Sequence, residues 1–132
     1  MSERINYSSG AVWEELVGYS RAVQVGNVIE IAGTTAYVNG ELVGRGDLYA
    51  QCTCIFEKVA ATLEQAGSGL KDVVRTRTFV TDITQWEAFA KAHAEYFGNI
   101  RPVASLIEVK GFIDPEMLVE IEMTAIISGA KV

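Results

Sequence analysis

Two cysteines, two prolines and one histidine are all that this 132-residue chain has for staples, rigid turns and soft metal ligands. Cys52 and Cys54 stand two apart within a stretch that reads as helix, so their side chains point to different faces and do not easily bridge. They read as reduced thiols rather than a redox pair. One His, His93, and two misaligned thiols make a poor zinc site, and no metal or cofactor is expected. His93 itself reads as a packed helix residue with one hydrogen bond. Positive charge is also scarce: 11 Lys and Arg against 17 Asp and Glu give a net charge of −6. Nucleic acid and anionic membrane both need a positive field, so neither is an expected partner. No apolar run nears the length of a membrane span, and residues 1–6 lack the apolar core of a secretory leader. A cytoplasmic protein is expected.

What is present is ordinary for a globular domain, with 49% apolar and 21% charged residues. The length fits one domain, 1–132, large enough to bury a core without staples. Arg21–Val25 and Val28–Gly33 read as strands joined by the two-residue turn Gly26-Asn27. A second short hairpin over Tyr37–Val43 turns at Asn39-Gly40. Asp47–Ala66 repeats Leu48, Cys52, Ile55, Phe56, Val59, Leu63 and Ala66 at helical spacing, with Gly67 as its stop. Val73–Thr81 is a β-branched strand. Thr84-Gln85-Trp86-Glu87 has the form of a capping box, and the helix behind it runs to Phe97 and Gly98. Trp86, Phe89, Ala90, His93 and Phe97 are its expected inner face. Pro102 restricts the following strand to a sheet edge at its start. Ser128-Gly129-Ala130 is expected to fray.

Two strands close the chain, Ile100–Val109 and Leu118–Met123. In the second, Glu120 and Glu122 share one face and Val119, Ile121 and Met123 the other. Carboxylates inside an apolar strand need partners, because buried charge is costly alone. The order of elements gives a two-layer α+β domain, helices on one face of a mixed sheet. Arg75, Arg77 and Phe79, then Ala104, Leu106 and Glu108, then Glu120, Glu122 and Thr124, are the three parity sets expected on the open face. A face that mixes charge and apolar surface suits a symmetric interface.

Pro102-Val103-Ala104-Ser105 ahead of Val119-Glu120-Ile121-Glu122 resembles the C-terminal signature of the RidA/YjgF family, also known as endoribonuclease L-PSP or translation initiation inhibitor. Gly18-Tyr19-Ser20-Arg21, Val25–Ile29, Ala32-Gly33-Thr34 and Phe79-Val80-Thr81-Asp82 extend the resemblance over nearly the whole chain. It implies a chorismate-mutase-like fold, a homotrimer with sheets turned inward, and three small-molecule clefts between subunits. It further implies hydrolytic deamination of enamines or imines, with an arginine on the substrate carboxylate, a glutamate orienting water and a tyrosine shaping the cleft. Glu120 matches the catalytic glutamate, Tyr19 the tyrosine, and Gly33 lies where the family lines its cleft. Ser105 matches the family serine, and Leu106 stands where some members carry cysteine. The arginine is missing: its position is Ala104.

A charge-assisted hydrogen bond contributes about 1.5–3 kcal/mol, so the loss weakens carboxylate binding by up to roughly 100-fold. Arg21 is the first candidate to replace it and Arg101 the second. Glu120 either faces the cleft or pairs with Arg75 or Arg77. We expect Glu122 to take the arginine and Glu120 the cleft. Three functions remain in view: a deaminase of altered specificity, a noncatalytic ligand-binding trimer, and a nuclease or translation inhibitor, which the acidic balance disfavours.

Overall fold

The computed structural model describes residues 3–128. Its elements are β1 (Arg4–Tyr7), α1 (Val12–Val17), β2 (Ala22–Val25), β3 (Val28–Thr34), β4 (Tyr37–Val38), β5 (Glu41–Leu42), α2 (Leu48–Gln65), β6 (Val73–Val80), α3 (Trp86–Phe97), β7 (Val103–Glu108) and β8 (Val119–Ile126). Six strands form one sheet in the order β1-β2-β3-β8-β6-β7, and β4 and β5 form a separate ribbon. Only β6 and β7 run parallel, joined across α3, which makes the sheet mixed. Pro102 precedes β7, and β7 is a sheet edge, where a missing N–H costs no ladder bond.

Both expected hairpins form. Val25 pairs with Val28 around Gly26, whose φ is +61° while Asn27 stays at negative φ, the requirement of a type II′ turn. Tyr37 pairs with Leu42 around Asn39 (φ +52°) and Gly40 (φ +81°), the two left-handed positions of a type I′ turn.

Asp47 caps α2 by accepting from Ala50 N at 3.0 Å. At the other end Ser68 N donates to Leu63 O (2.8 Å) and Gly67 N to Glu64 O (3.0 Å), with Gly67 at φ +76°. This pair of bonds is the Schellman arrangement that a C′ glycine permits.

The helix stripe is buried as its spacing predicts. Ile55, Phe56 and Leu63 from α2 meet Phe97 and Ala92 from α3 and Ile29, Ile121 and Met123 from the sheet, all 2% exposed or less. Phe56 anchors the seam between the helices, edge-on to Phe97 at 5.3 Å between centroids. Truncating such a ring to alanine costs about 3–5 kcal/mol.

Gln51, fully buried on α2, satisfies its amide on three backbone partners: it donates to Gly44 O and Glu116 O and accepts from Leu118 N. His93 is half-buried against Phe89 and Phe97 and shares one hydrogen bond with Thr76 Oγ1 at 2.9 Å, as its reading anticipated. Burial lowers its pKa.

Several expectations fail here. The capping box does not form: Asp82, not Thr84, caps the turn before α3, accepting from Thr84 N at 3.0 Å. A 3-10 turn over Ile83–Gln85 intervenes, and α3 begins at Trp86 with no side-chain cap. Trp86 is therefore on the outside, 53% exposed, and Ala90 is only half-buried; Ala92 fills the inner face instead.

The parity of β7 is also reversed. Ala104 registers with buried Thr76, Leu106 with buried Thr78, and Glu108 with buried Val80. Paired residues share a face, so these three belong to the helix side, where Glu108 Oε2 accepts from Ile83 N. The open face instead carries Val103, Ser105 and Ile107 beside Arg75, Arg77 and Phe79. Of the tail expected to fray, Gly129 and Ala130 lie outside the described residues.

Candidate functional site

At one end of the sheet, β3 slips its register with β8 between Ile31 and Thr34. A bulge of this kind bends its strand and re-aims side chains. A cavity of about 930 Å³ opens there. Its walls come from the Ser9–Trp13 segment and Val17 of α1, the strand end Gly33–Thr35, the β4–β5 ribbon, one turn of α2 at Lys58–Thr62, and the loop Gly111–Ile113. Tyr19, Arg21, Met117 and Glu120 complete it.

The bulge sets the position of Glu120. A β-carbon added to Gly33 would stand 2.7 Å from Glu120 Cδ and 2.8 Å from its Oε2. The carboxylate therefore lies on bare backbone, and no larger residue leaves it that room. The Gly33 carbonyl is taken by Arg21, whose Nη2 donates to it at 2.6 Å. Glu120 forms no ion pair within 4 Å among the described residues. Burial raises its pKa, the charge of Arg21 pulls it down, and Glu122 pushes it up. A carboxyl so placed exchanges its proton nearer neutrality than an exposed one, as a general acid–base group should.

Glu122, two residues on, is paired: Arg77 Nη1 lies 3.2 Å from its Oε1. The two carboxylates divide as expected, one on an arginine and one in the cavity.

Lys58 was not singled out in the sequence. It enters from α2, and its Nζ donates to Thr35 O (2.7 Å) and Tyr37 O (2.6 Å). Burial lowers its pKa, and the nearby charge of Arg21 adds to that. The available signal was its position: Lys58 follows Ile55 by three and precedes Thr62 by four, on the edge of the buried stripe. Tyr37 was missed as well. Its hydroxyl donates to Asp114 Oδ2, which ties the ribbon to the loop before β8, and this bond raises the Tyr37 pKa.

The named site residues split into two groups. Tyr19, Arg21, Gly33 and Glu120 meet at the cavity. Arg101, Ala104, Ser105 and Leu106 do not line it. β8 and β6 separate β7 from β3, so the second group sits at the far edge of the same sheet. Arg101 holds φ at +57° and donates Nε to Gly98 O at 3.0 Å, exposed at the end of α3. Within one subunit it does not replace the missing arginine.

The sequence matches the family model described as Endoribonuclease L-PSP over residues 11–127. A 3-aminoacrylate deaminase, RutC, of Acinetobacter baylyi is 32% identical over 83% of this chain and 87% of its own length. An uncharacterised protein of Streptomyces coelicolor is 39% identical over 89% and 87%. Among solved structures, a YjgF/YER057c/UK114 family member from Mycobacterium tuberculosis superposes with a TM-score of 0.85 at 45% identity, covering 95% of this chain and all of the other. RidA of an Antarctic Psychrobacter superposes at 0.77 with 25% identity, covering 92% and 94%.

Proposed function

Because this chain belongs to the endoribonuclease L-PSP family, which includes the RidA/YjgF proteins, we propose that it binds a small metabolite in clefts between the subunits of a cytoplasmic homotrimer and hydrolyses an enamine or imine there. The observation that carries this reading is Glu120, an unpaired, half-buried carboxyl with a raised pKa lying over Gly33 in a cavity. Hydrolysis of a C=N bond needs water delivered to carbon and a proton delivered to nitrogen. The two steps give a carbinolamine, then a carbonyl product and ammonia. Glu120 orients and deprotonates the water, then returns the proton to the leaving nitrogen. Tyr19 and Arg21 shape the same wall. The open sheet face, with Phe79, Val103 and Ile107 among its charges, is the surface a trimer would cover. A neighbour's β7 edge would then bring Ala104, Ser105 and Leu106 toward the cleft, with Ala104 altering specificity in place of arginine.

A noncatalytic ligand-binding trimer is the second reading, and Ala104 is the residue that favours it. The ribonuclease named in the family's description suits this chain poorly, because the net charge is −6 and the cavity presents only two basic side chains. The test is ammonia release from a panel of imines and enamines, 3-aminoacrylate included, by wild type and Glu120→Ala. Turnover that vanishes in the variant supports hydrolysis. Turnover unchanged by the substitution sinks it, and a wild type that binds but never turns over leaves the second reading.

A further inference from the structure

The charged and the apolar parts of the cavity wall come from different segments. Arg21, Lys58 and Glu120 are its charged residues, and they gather where β3 ends, on Gly33, Thr35 and Tyr37. The walls away from that end carry large apolar side chains: Val12, Trp13 and Val17 of α1, Val38 of the ribbon, and Phe112 and Ile113 of the loop. Apart from the half-buried Phe112, they range from 40% exposed at Val38 to 77% at Ile113. Single exposed apolar residues are ordinary on a protein surface, but several around one opening form a patch that marks a binding site.

These side chains are held in place rather than left loose. The α1 segment leaves the sheet at Tyr7 and rejoins it at Ala22, and those two residues pair with each other. Between them Glu14 is buried. Its carboxylate accepts from Ser8 Oγ (2.8 Å) and Ser9 N (3.2 Å), and its carbonyl accepts from Gly18 N and Tyr19 N. The Tyr37–Asp114 hydrogen bond fastens the ribbon to the loop. A wall fixed in this way keeps its apolar side chains presented, so a ligand that covers them loses little to ordering. Size points the same way. At about 30 Å³ per water-sized heavy atom, a three-carbon imino acid of about six heavy atoms fills about a fifth of the 930 Å³ cavity and leaves water against the apolar wall.

We propose that α1, the ribbon and the Gly111–Ile113 loop form a subsite for a bulky apolar side chain, so that the ligand of this cavity is a branched-aliphatic or aromatic enamine or imine rather than a three-carbon one. The inference rests on the cavity being the ligand site of the proposed function. It makes Trp13 and Val17 specificity-determining residues, set apart from the carboxyl that acts on water.

The experiment is calorimetric titration of the full-length protein with pyruvate and with 4-methyl-2-oxopentanoate, which share a carboxylate and a ketone and differ only in the side chain. Wild type, Trp13→Ala and Val17→Ser are compared, each checked by thermal melting and sedimentation. The branched acid should bind wild type roughly 10–100-fold more tightly than pyruvate does, the effect of its further carbons leaving water. Trp13→Ala and Val17→Ser should each remove about 3–10-fold of that preference and leave pyruvate unchanged. A second readout uses the indole itself. Trp13 and Trp86 are the two tryptophans of the chain, and Trp86 lies on α3 outside the cavity. In Trp86→Phe, the emission of Trp13 should therefore move to shorter wavelength with the branched acid and stay in place with pyruvate. The subsite is overturned if the two acids bind wild type equally, if neither binds, or if both variants keep the preference. Dissociation of the assembly by Trp13→Ala with the preference intact would assign this wall to a subunit contact instead. A preference for the branched acid with no hydrolysis of either imine would overturn the hydrolase reading alone. Glu120-dependent hydrolysis with equal kcat/KM on the two imines would overturn the subsite alone.

Discussion

Gly33 and Glu120 are in contact across two strands so closely that a single methyl group on Gly33 would overlap the carboxyl carbon at 2.7 Å. Gly33 has no unusual φ, so space, not backbone freedom, is what this position requires. The overlapped atoms are the end of a flexible side chain, which can swing away. Gly33→Ala should therefore fold, with a stability loss of about 1 kcal/mol, while turnover falls roughly 100-fold because the carboxyl proposed to act on water is displaced. Thermal melts and ammonia-release kinetics measured together check this. A variant of unchanged activity would mean that the carboxyl does not work from the position it holds over Gly33.

The raised pKa of Glu120 has a sign that stability measurements can read. Between the ordinary value of 4.5 and the higher folded value, the native state holds more protons than the unfolded chain. Stability contributed by this group then falls as pH rises through that window and stays low above it. Ionised Glu120 is a cost at neutral pH. Glu120→Gln should melt higher than wild type at pH 7 and nearly equal to it at pH 4, while losing turnover. Equal melting at both values would show that burial does not perturb this carboxyl.

Much of the architecture was legible because it is written in local chemistry. Asp47 and Gly67 bracket α2, Asn39-Gly40 admits only a tight turn, and the apolar stripe through Ile55 and Phe56 has one period. The start of α3 was misread because Asp82 and Thr84 offer competing caps two residues apart, and Asp82 prevails by holding both Thr84 N and Thr84 Oγ1. The parity of β7 was misread because an edge strand exposes both faces, so its sequence does not announce which one is inward. α1 went unread because six residues from Val12 to Val17 are too few to establish a period, and Val12, Leu16 and Val17 remain exposed. Half of the candidate site was recovered through Glu120, Gly33, Tyr19 and Arg21. Lys58 was not, because its acceptors are the carbonyls of Thr35 and Tyr37, and no side-chain pattern reports a backbone carbonyl.

The Arg77–Glu122 pair is more than a third exposed on both sides in one subunit, so water screens it there and it adds roughly 0–1 kcal/mol. A trimer closing over the open face would strip that water. Glu122→Gln should then barely change the fold of a subunit but leave Arg77 unpaired in the interface, a loss of about 3–5 kcal/mol per buried pair. Sedimentation should give wild type a mass near three times 14.4 kDa, and the variant should dissociate at concentrations where wild type does not. A Glu122→Gln trimer as tight as wild type would place the interface elsewhere.

Ala104 gives the sharpest test of how the two groups of site residues are related. It is exposed on the edge strand β7, so an arginine there meets no packed core and should fold normally. In a lone subunit that arginine would stand two strands from Glu120 and on the opposite, helix-side face of the sheet, and could not help it. In the proposed trimer it would enter a neighbour's cleft. Ala104→Arg should then raise kcat/KM on carboxylate-bearing imines by about 10-fold or more, the worth of one charge-assisted bond, and leave uncharged imines unaffected. The gain should disappear when Glu122→Gln is added, because dissociation separates the arginine from the cavity it serves. A gain that survives dissociation would mean the arginine acts within its own subunit, against the sheet order. Wild-type turnover on carboxylate-bearing imines that is already high and unimproved would show that another group already holds the carboxylate.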